Sequence, residues 1–355
     1  MRENPHCVGN FLMQQIFRPL APSERPWRRG AQRMVRPSHF SLAAAAFSLL
    51  AVIAPDIAEA CTTCQCGTTV PITSAGGPQS ADTLRFAFEV RAQQARVGVT
   101  DVNEQVTREI RTEVGSAWSP GGGHSVGFSL PLIVREVSTV SGARDQVVGP
   151  GDLTLYGEFS LLQNNPRHML LALAGSRLPV SPAWNDENGE RLSVDVQPGQ
   201  GAFVPFVALA WSGPSWKPVR GFARASAFLP LESRWDYRPG VSALATAGLE
   251  FRLSPKLALQ AELDSRYELA DDFSGERDPD SGGAMLYASP TLLWRPQAAW
   301  AAYATVRVPV VNALQGSQSE STIVSLGFAF QVPLRPTEAS DPMFMAQAVR
   351  PTFPD

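Results

Sequence analysis

From Thr83 to about Val332, apolar and polar side chains alternate with a period of two. The clearest stretch runs from Leu257 to Leu269. Leu257, Leu259, Ala261, Leu263, Tyr267 and Leu269 share one face, broken only by Ser265, while Ala258, Gln260, Glu262, Asp264, Arg266 and Glu268 share the other. A strand sends successive side chains to opposite faces, whereas a helix would scatter these apolar residues all round. The same alternation sets Leu84, Phe86, Phe88 and Val90 against Arg85, Glu89 and Arg91, and Trp300, Ala302, Ala304, Val306 and Val308 against Tyr303, Thr305 and Arg307. It predicts about twelve strands, near 83–96, 102–117, 123–136, 150–163, 168–181, 202–212, 217–231, 240–252, 256–270, 283–295, 298–311 and 319–332. The second is unusually polar (VTREIRTEV), and the fifth is apolar on both faces around Leu170 to Ala174.

The connections after the first hairpin alternate in length. Short ones fall at 119–122, 163–167, 213–216, 254–255 and 295–297, and long ones at 136–149, 181–201, 232–239, 271–282 and 312–318. Outer-membrane barrels join their strands by short periplasmic turns and longer outer loops. Apolar-Pro-apolar triplets centred on Pro131, Pro179, Pro230 and Pro309 lie on strands that this numbering sends outward, and the last three are expected to mark the outer ends of pairing. Pro131 and Pro290 sit nearer strand middles. Trp118, Trp211, Trp216, Trp235, Tyr237, Trp294 and Trp300 gather near strand ends, as aromatic girdles do.

The predicted fold is therefore all-β, a transmembrane antiparallel up-and-down β-barrel of about twelve strands over 83–332 with a polar lumen. Its apolar face is assigned to lipid, because Arg or Lys on that face would cost about 2–4 kcal/mol at the midplane while a wet lumen hydrates or pairs them. The lumen-lining candidates are Arg85, Glu89, Arg91, Glu158, Arg224, Glu250, Arg252, Glu262, Asp264, Arg266 and Arg307, with roles in polarity and selectivity. Twelve strands lie between the roughly 8 that close on a filled interior and the roughly 16 that leave an open channel, so a narrow, partly obstructed lumen is expected.

Composition agrees. Charged residues make up 18% of the 355 and hydrophobic residues 44%, so the chain is short of charge without being rich in grease. No apolar run reaches the roughly 20 residues of a membrane helix. A net charge of −3 gives no sign of a nucleic-acid partner, and the expected partners are membrane lipid and a small solute.

The one concentrated apolar run, Leu42 to Ala54, follows Arg36 and precedes Ala58-Glu59-Ala60, the pattern of a signal peptide cleaved between Ala60 and Cys61. Met34 would be its ordinary start. Residues 1–60 are set aside as an upstream extension and signal, 61–82 as a Cys-containing segment and 333–355 as a tail. Cys61, Cys64 and Cys66 could bind a soft metal such as Cu(I) or Zn(II), form a disulfide with a spare thiol, or carry lipid on Cys61. Asp278 to Gly283, after Asp271, Asp272 and Glu276, has Asp alternating before Gly as calcium loops do. It lacks their full spacing and reads as a solvated turn. His124 and His168 are the only histidines after residue 60, and His124 beside Ser125 has no orienting third group, so the chain reads as a non-enzyme.

Cys61–Gly67, Gly151 to Leu155, Gln197-Pro198-Gly199-Gln200-Gly201, Asp278 to Gly283 and Val308 to Leu314, in that order, resemble the outer-membrane proteins of the phenol meta-pathway degradation family, in a branch with a cysteine-rich N-terminus. The similarity spans about 61–332. The family usually follows its Gln-Pro-Gly with Thr-Gly, where this chain has Gln200-Gly201, and it ends near its last strand. The resemblance implies an outer-membrane transporter for small, hydrophobic or aromatic compounds. A non-transporting barrel that binds metal through the cysteines, and a structural or adhesive barrel acting through its loops, are the alternatives.

Overall fold

The computed structural model describes residues 82–162, 168–186, 188–216, 218–297 and 299–334. In chain order its strands are β1 (Thr83–Val97), β2 (Gln105–Gly121), β3 (His124–Thr139), β4 (Arg144–Pro150), β5 (Leu153–Ser160), β6 (Met169–Leu178), β7 (Val204–Trp216), β8 (Val219–Phe228), β9 (Tyr237–Arg238), β10 (Ser242–Ser254), β11 (Leu257–Glu268), β12 (Asp272–Phe273), β13 (Glu276–Arg277), β14 (Gly283–Gln297), β15 (Trp300–Leu314), β16 (Gln318–Glu320) and β17 (Ile323–Pro333). β4 and β5 both pair with β3, and β16 and β17 both pair with β1, so each couple is one barrel strand in two pieces. Counted that way, 12 antiparallel strands follow one another round the sheet, and β1 pairs with β2 on one side and β17 on the other. The sheet is closed. Closure leaves no row of unpaired amides, which is the condition for a sheet to lie in hydrocarbon.

The two faces separate cleanly. On the outside Leu326 is 59% exposed and Leu263 53%, while on the inside Arg91 is 4% exposed and Glu158 0%. Water would reward the opposite arrangement. A continuous apolar exterior around a charged interior is stable only where lipid tails surround it.

Proline explains where the sheet departs from regularity. Pro131 lies inside β3 and has no N–H to donate. Opposite it the partner strand breaks between β4 and β5 at Gly151-Asp152, with the Gly151 amide donating to the Pro131 carbonyl at 2.8 Å. Pro179 and Pro230 fall just beyond the ends of β6 and β8, where outer pairing was expected to stop. Pro309 does not: β15 continues to Leu314, and the ladder absorbs the proline with a register shift between Leu286 and Tyr287. Pro290 also lies inside its strand, β14.

At the short-turn end the chain reverses between β2 and β3 on Gly121, Gly122 and Gly123, with φ of 115°, 67° and 76°, a region where only glycine sits without strain. Trp118, Trp211, Trp294 and Trp300 stand exposed near this end, as one girdle. The side chain of Trp216 and residues 163–167 lie outside the description. Trp235 and Tyr237 are a correction: both are buried, packed with Val194 among the outer loops. The supposed long loop at 136–149 is also mostly strand, because β3 and β4 run on as a hairpin turning at 140–143. β9, β12 and β13 make a separate three-stranded sheet within the segments joining β8 to β10 and β11 to β14.

Candidate functional site

Alternation aims one face of every barrel strand into the interior, so the site is assembled from single residues on many strands. The outer half of this interior is a set of matched charges. Arg135 on β3 donates through Nη2 and Nε to Glu109 on β2, at 2.5 and 2.9 Å. Glu113 accepts from Ser129 at 2.7 Å and from Arg111 at 3.4 Å. Arg91 donates to Glu89 at 2.9 Å, and the Tyr303 hydroxyl donates to the same carboxylate. Arg266 donates to Glu320 at 2.6 Å, and Tyr287 donates there too. These charged groups are buried. Each pairing offsets part of a desolvation cost that an isolated ion could not meet.

One of these pairs, Arg135 with Glu109, holds a plug. The chain between β6 and β7, residues 179–203, folds into the barrel mouth. Val196 from this segment packs on Val137 and Val147 of the inner face, with Trp184 and Leu192 alongside. Arg135 uses its remaining nitrogen, Nη1, to clasp the carbonyls of Asp195 and Gln197 at 3.0 and 2.6 Å. Asp152, turned in at the break that Pro131 creates, accepts the amides of Gln200 at 2.8 Å and Ser181 at 3.3 Å. The Gln197 amide accepts from the Trp184 N–H at 2.9 Å and donates to the carbonyls of Trp184 and Leu192 at 2.8 and 3.0 Å, fixing the loop's own shape. Gly199 has to be glycine because a Cβ there would lie 2.4 Å from the Ser181 Cβ and 2.5 Å from Asp152 Oδ1. Two of the motifs behind the family resemblance, Gly151 to Leu155 and Gln197 to Gly201, thus meet in one contact.

The outer loops also hold a buried acid. Asp271 accepts from the Tyr237 hydroxyl and the Gly240 amide, each at 2.7 Å. Burial, with the Glu268 carboxylate beside it, pushes its pKa up to about 7. Asp280 caps the Ser317 amide at 2.9 Å, and Asp278 accepts from Asp280 N–H at 2.9 Å, so the supposed calcium-like segment spends its carboxylates on backbone.

Toward the short turns the interior opens into a cavity of about 680 Å³. Its wall includes Arg85, Arg224, Glu250, Arg252, Glu262 and Arg307 of the sequence candidates. Arg85 donates to Glu158 at 2.8 Å, and Ser125 donates to Glu158 at 2.6 Å. Arg307 stands 3.7 Å from Asp264, which accepts from Thr246 at 2.6 Å. Glu250 accepts from Gln260 at 3.0 Å and lies 3.4 Å from Arg295. Glu89, Arg91 and Arg266 lie farther out, in the matched network.

Sequence reasoning overlooked Glu109, Arg111, Glu113, Arg135, Arg177 and Arg295. Counting in steps of two from Thr107 along β2, or from Ser129 along β3, would have found four of them. Ser125 points into the interior while His124, next along the strand, stacks edge-on with Phe159 at 5.6 Å, so the pair lies on opposite faces of the sheet. Among the described residues no group of three or more His, Cys, Asp or Glu is arranged to hold a metal. Cys61, Cys64 and Cys66 lie outside the described residues, as do residues 1–60 and 335–355.

No family model and no curated protein matches the chain. Solved structures do. The crystal structure of an outer membrane channel from Pseudomonas putida F1 aligns over 73% of this chain and 98% of its own, at 12% identity and a TM-score of 0.58. The fold is that of an outer-membrane β-barrel. The translocator domain of the autotransporter NalP from Neisseria meningitidis aligns over 74% of this chain and 92% of its own, at 13% identity and a TM-score of 0.43. The CymD monoaromatic hydrocarbon channel aligns over 72% and 90%, at 9% identity and a TM-score of 0.39. Fold and apolar exterior together place the barrel in the outer membrane.

Proposed function

We propose that the barrel is an outer-membrane channel for small solutes, with residues 179–203 as its constriction. The observation that carries this reading is the cavity of about 680 Å³, lined by charged and apolar side chains inside a closed sheet, within the roughly 300–1,000 Å³ of small-molecule sites. A barrel serving only as an anchor or adhesive scaffold has no use for such a space behind its loops. The side chains lining the interior set polarity and do no chemistry. The resemblance to the phenol meta-pathway proteins leads us to small aromatic compounds as the cargo, with residues 61–82 as a separate segment ahead of the barrel.

The test is electrical. The full chain, folded in detergent and shown to be a barrel by a heat-dependent shift on a gel, is inserted in planar bilayers and in liposomes. Discrete conductance steps and swelling in small solutes are expected. A folded barrel that passes neither ions nor solute would remove the reading.

A further inference from the structure

The inner cavity carries more positive charge than its own acids can balance. Seven basic side chains line it, among them Arg220, Arg224, Lys256 and Arg295, against two carboxylates, Glu250 and Glu262. The acids just behind the wall do not close the gap. Glu158 is engaged by Arg85, Asp264 by Arg307, and Glu89, which also faces Arg307, by Arg91; counting these three acids together with Arg91 still leaves eight basic groups to five acidic ones. Glu250 itself faces two guanidiniums, Arg295 at 3.4 Å and Arg252 at 3.7 Å. Arg224 faces Glu158, Glu262 and Asp264 together with Arg307. Arg220 donates to Ser212 and shares Glu250 with Arg295 and Arg252. In a wet cavity with low-dielectric walls such an excess concentrates anions.

The cavity is not polar all round. Met169, Leu171, Phe222 and Ala301 contribute to its wall. Phe222 reaches the inner face beside Gly248, where an added Cβ would lie 2.8 Å from its ring. A ligand that satisfies both halves has an anionic head for the guanidiniums and an apolar body for this wall. Guanidinium forks match carboxylate in a planar, bidentate way.

We propose that the cavity at the short-turn end is a binding site for small carboxylates with an apolar or aromatic body. The proposal rests on the channel reading only for how the ligand arrives; binding itself is measured apart from conduction.

The full chain, folded in detergent at low salt, is titrated calorimetrically with benzoate, benzamide and inorganic phosphate. Benzoate is expected to bind at least about tenfold more tightly than neutral benzamide and than phosphate, since one charge-assisted pair is worth at least about that factor. The double variant Arg220→Gln, Arg224→Gln should lose about tenfold or more in benzoate affinity. Because Arg224 is deep in the wall, a second variant, Arg220→Gln with Lys256→Gln near the turns, gives the same readout if the first does not fold. Benzoate and benzamide binding alike would overturn the charge argument, and phosphate binding as tightly as benzoate would overturn the apolar half. A barrel that conducts but binds no benzoate defeats this proposal alone. One that binds benzoate but conducts nothing defeats only the channel reading.

Discussion

In the outer half of the barrel, guanidiniums are matched with carboxylates: Arg91 with Glu89, Arg111 with Glu113, Arg135 with Glu109, Arg266 with Glu320. In the cavity near the short turns the basic groups outnumber the acidic ones. Both regions arise from the same alternation and the same residue types. The difference lies in matching. A matched pair under a loop is a fastener, because each charge is balanced by the other and the fixed geometry aims the remaining donors at what they touch. An excess of one sign beside an open cavity is a reservoir of attraction for a solute of the other sign. The outer half should therefore answer to mutation through stability and gating, and the cavity through selectivity.

The largest expected effect comes from breaking the fastener. Arg135→Met leaves Glu109 buried without its partner and releases the carbonyls of Asp195 and Gln197, and removing one member of a buried pair costs about 3–5 kcal/mol. We expect the loop to detach, proteolysis near 186–190 to quicken and bilayer conductance to rise several-fold. Adding Glu109→Gln should restore barrel stability while leaving the loop loose. If conductance and proteolysis stay at wild-type values in Arg135→Met, the segment 179–203 is not held by this pair.

A smaller effect is expected at the second anchor. Asp152→Asn keeps the shape but gives up a carboxylate that accepts two amides, a loss of about 1.5–3 kcal/mol for hydrogen bonds to a charged group. Gly199→Ala should act in the same direction, since its new methyl collides with Asp152 and Ser181. Both should loosen the loop without changing the anion preference of the cavity. A shift in ion selectivity with unchanged proteolysis would contradict the division drawn above.

How much of this could be read from the chain is best seen strand by strand. Leu257 to Leu269 alternates so regularly that its two faces and its inward charges Glu262, Asp264 and Arg266 were all legible. β2 was the hardest, because VTREIRTEV puts Arg108 and Thr112 on the outward face beside Ile110 and Val114, blurring the contrast on which periodicity depends. Arg108 sits there at low cost because it is exposed at the outer end and pairs with Glu136 at 3.1 Å. That blur hid Glu109, Arg111 and Glu113, and Arg135 was passed over with them. The plug was illegible for another reason. Period-two patterning says which way a strand's side chains face but nothing about where a long loop goes. The direction of 179–203 is set by long-range contacts to Asp152, Arg135 and Val137. Trp235 and Tyr237 went astray in the same way, as loop aromatics that found a tertiary core.

The smallest expected effect concerns the acid that the outer region leaves without a cationic partner. Asp271 is held by Tyr237 and the Gly240 amide, and burial beside Glu268 raises its pKa from the usual carboxylate range to about 7. The folded barrel then binds a proton at this site that the unfolded chain has already released, between about pH 4 and the folded value of about 7. A raised carboxylate pKa means that stability is greatest at low pH within that window and declines as pH rises through it. Hydrogen exchange of the loop amides around 237–240 and 271–282 should therefore quicken between about pH 4 and 7 beyond the intrinsic chemical trend (roughly tenfold per unit for free amides), by a modest factor, and follow the intrinsic trend above that. Asp271→Asn, neutral at every pH, should flatten that excess and leave the cavity's benzoate affinity untouched. An excess that persists in Asp271→Asn would assign the pH response to another group and leave the outer region with no acid silenced by protonation, only acids silenced by pairing.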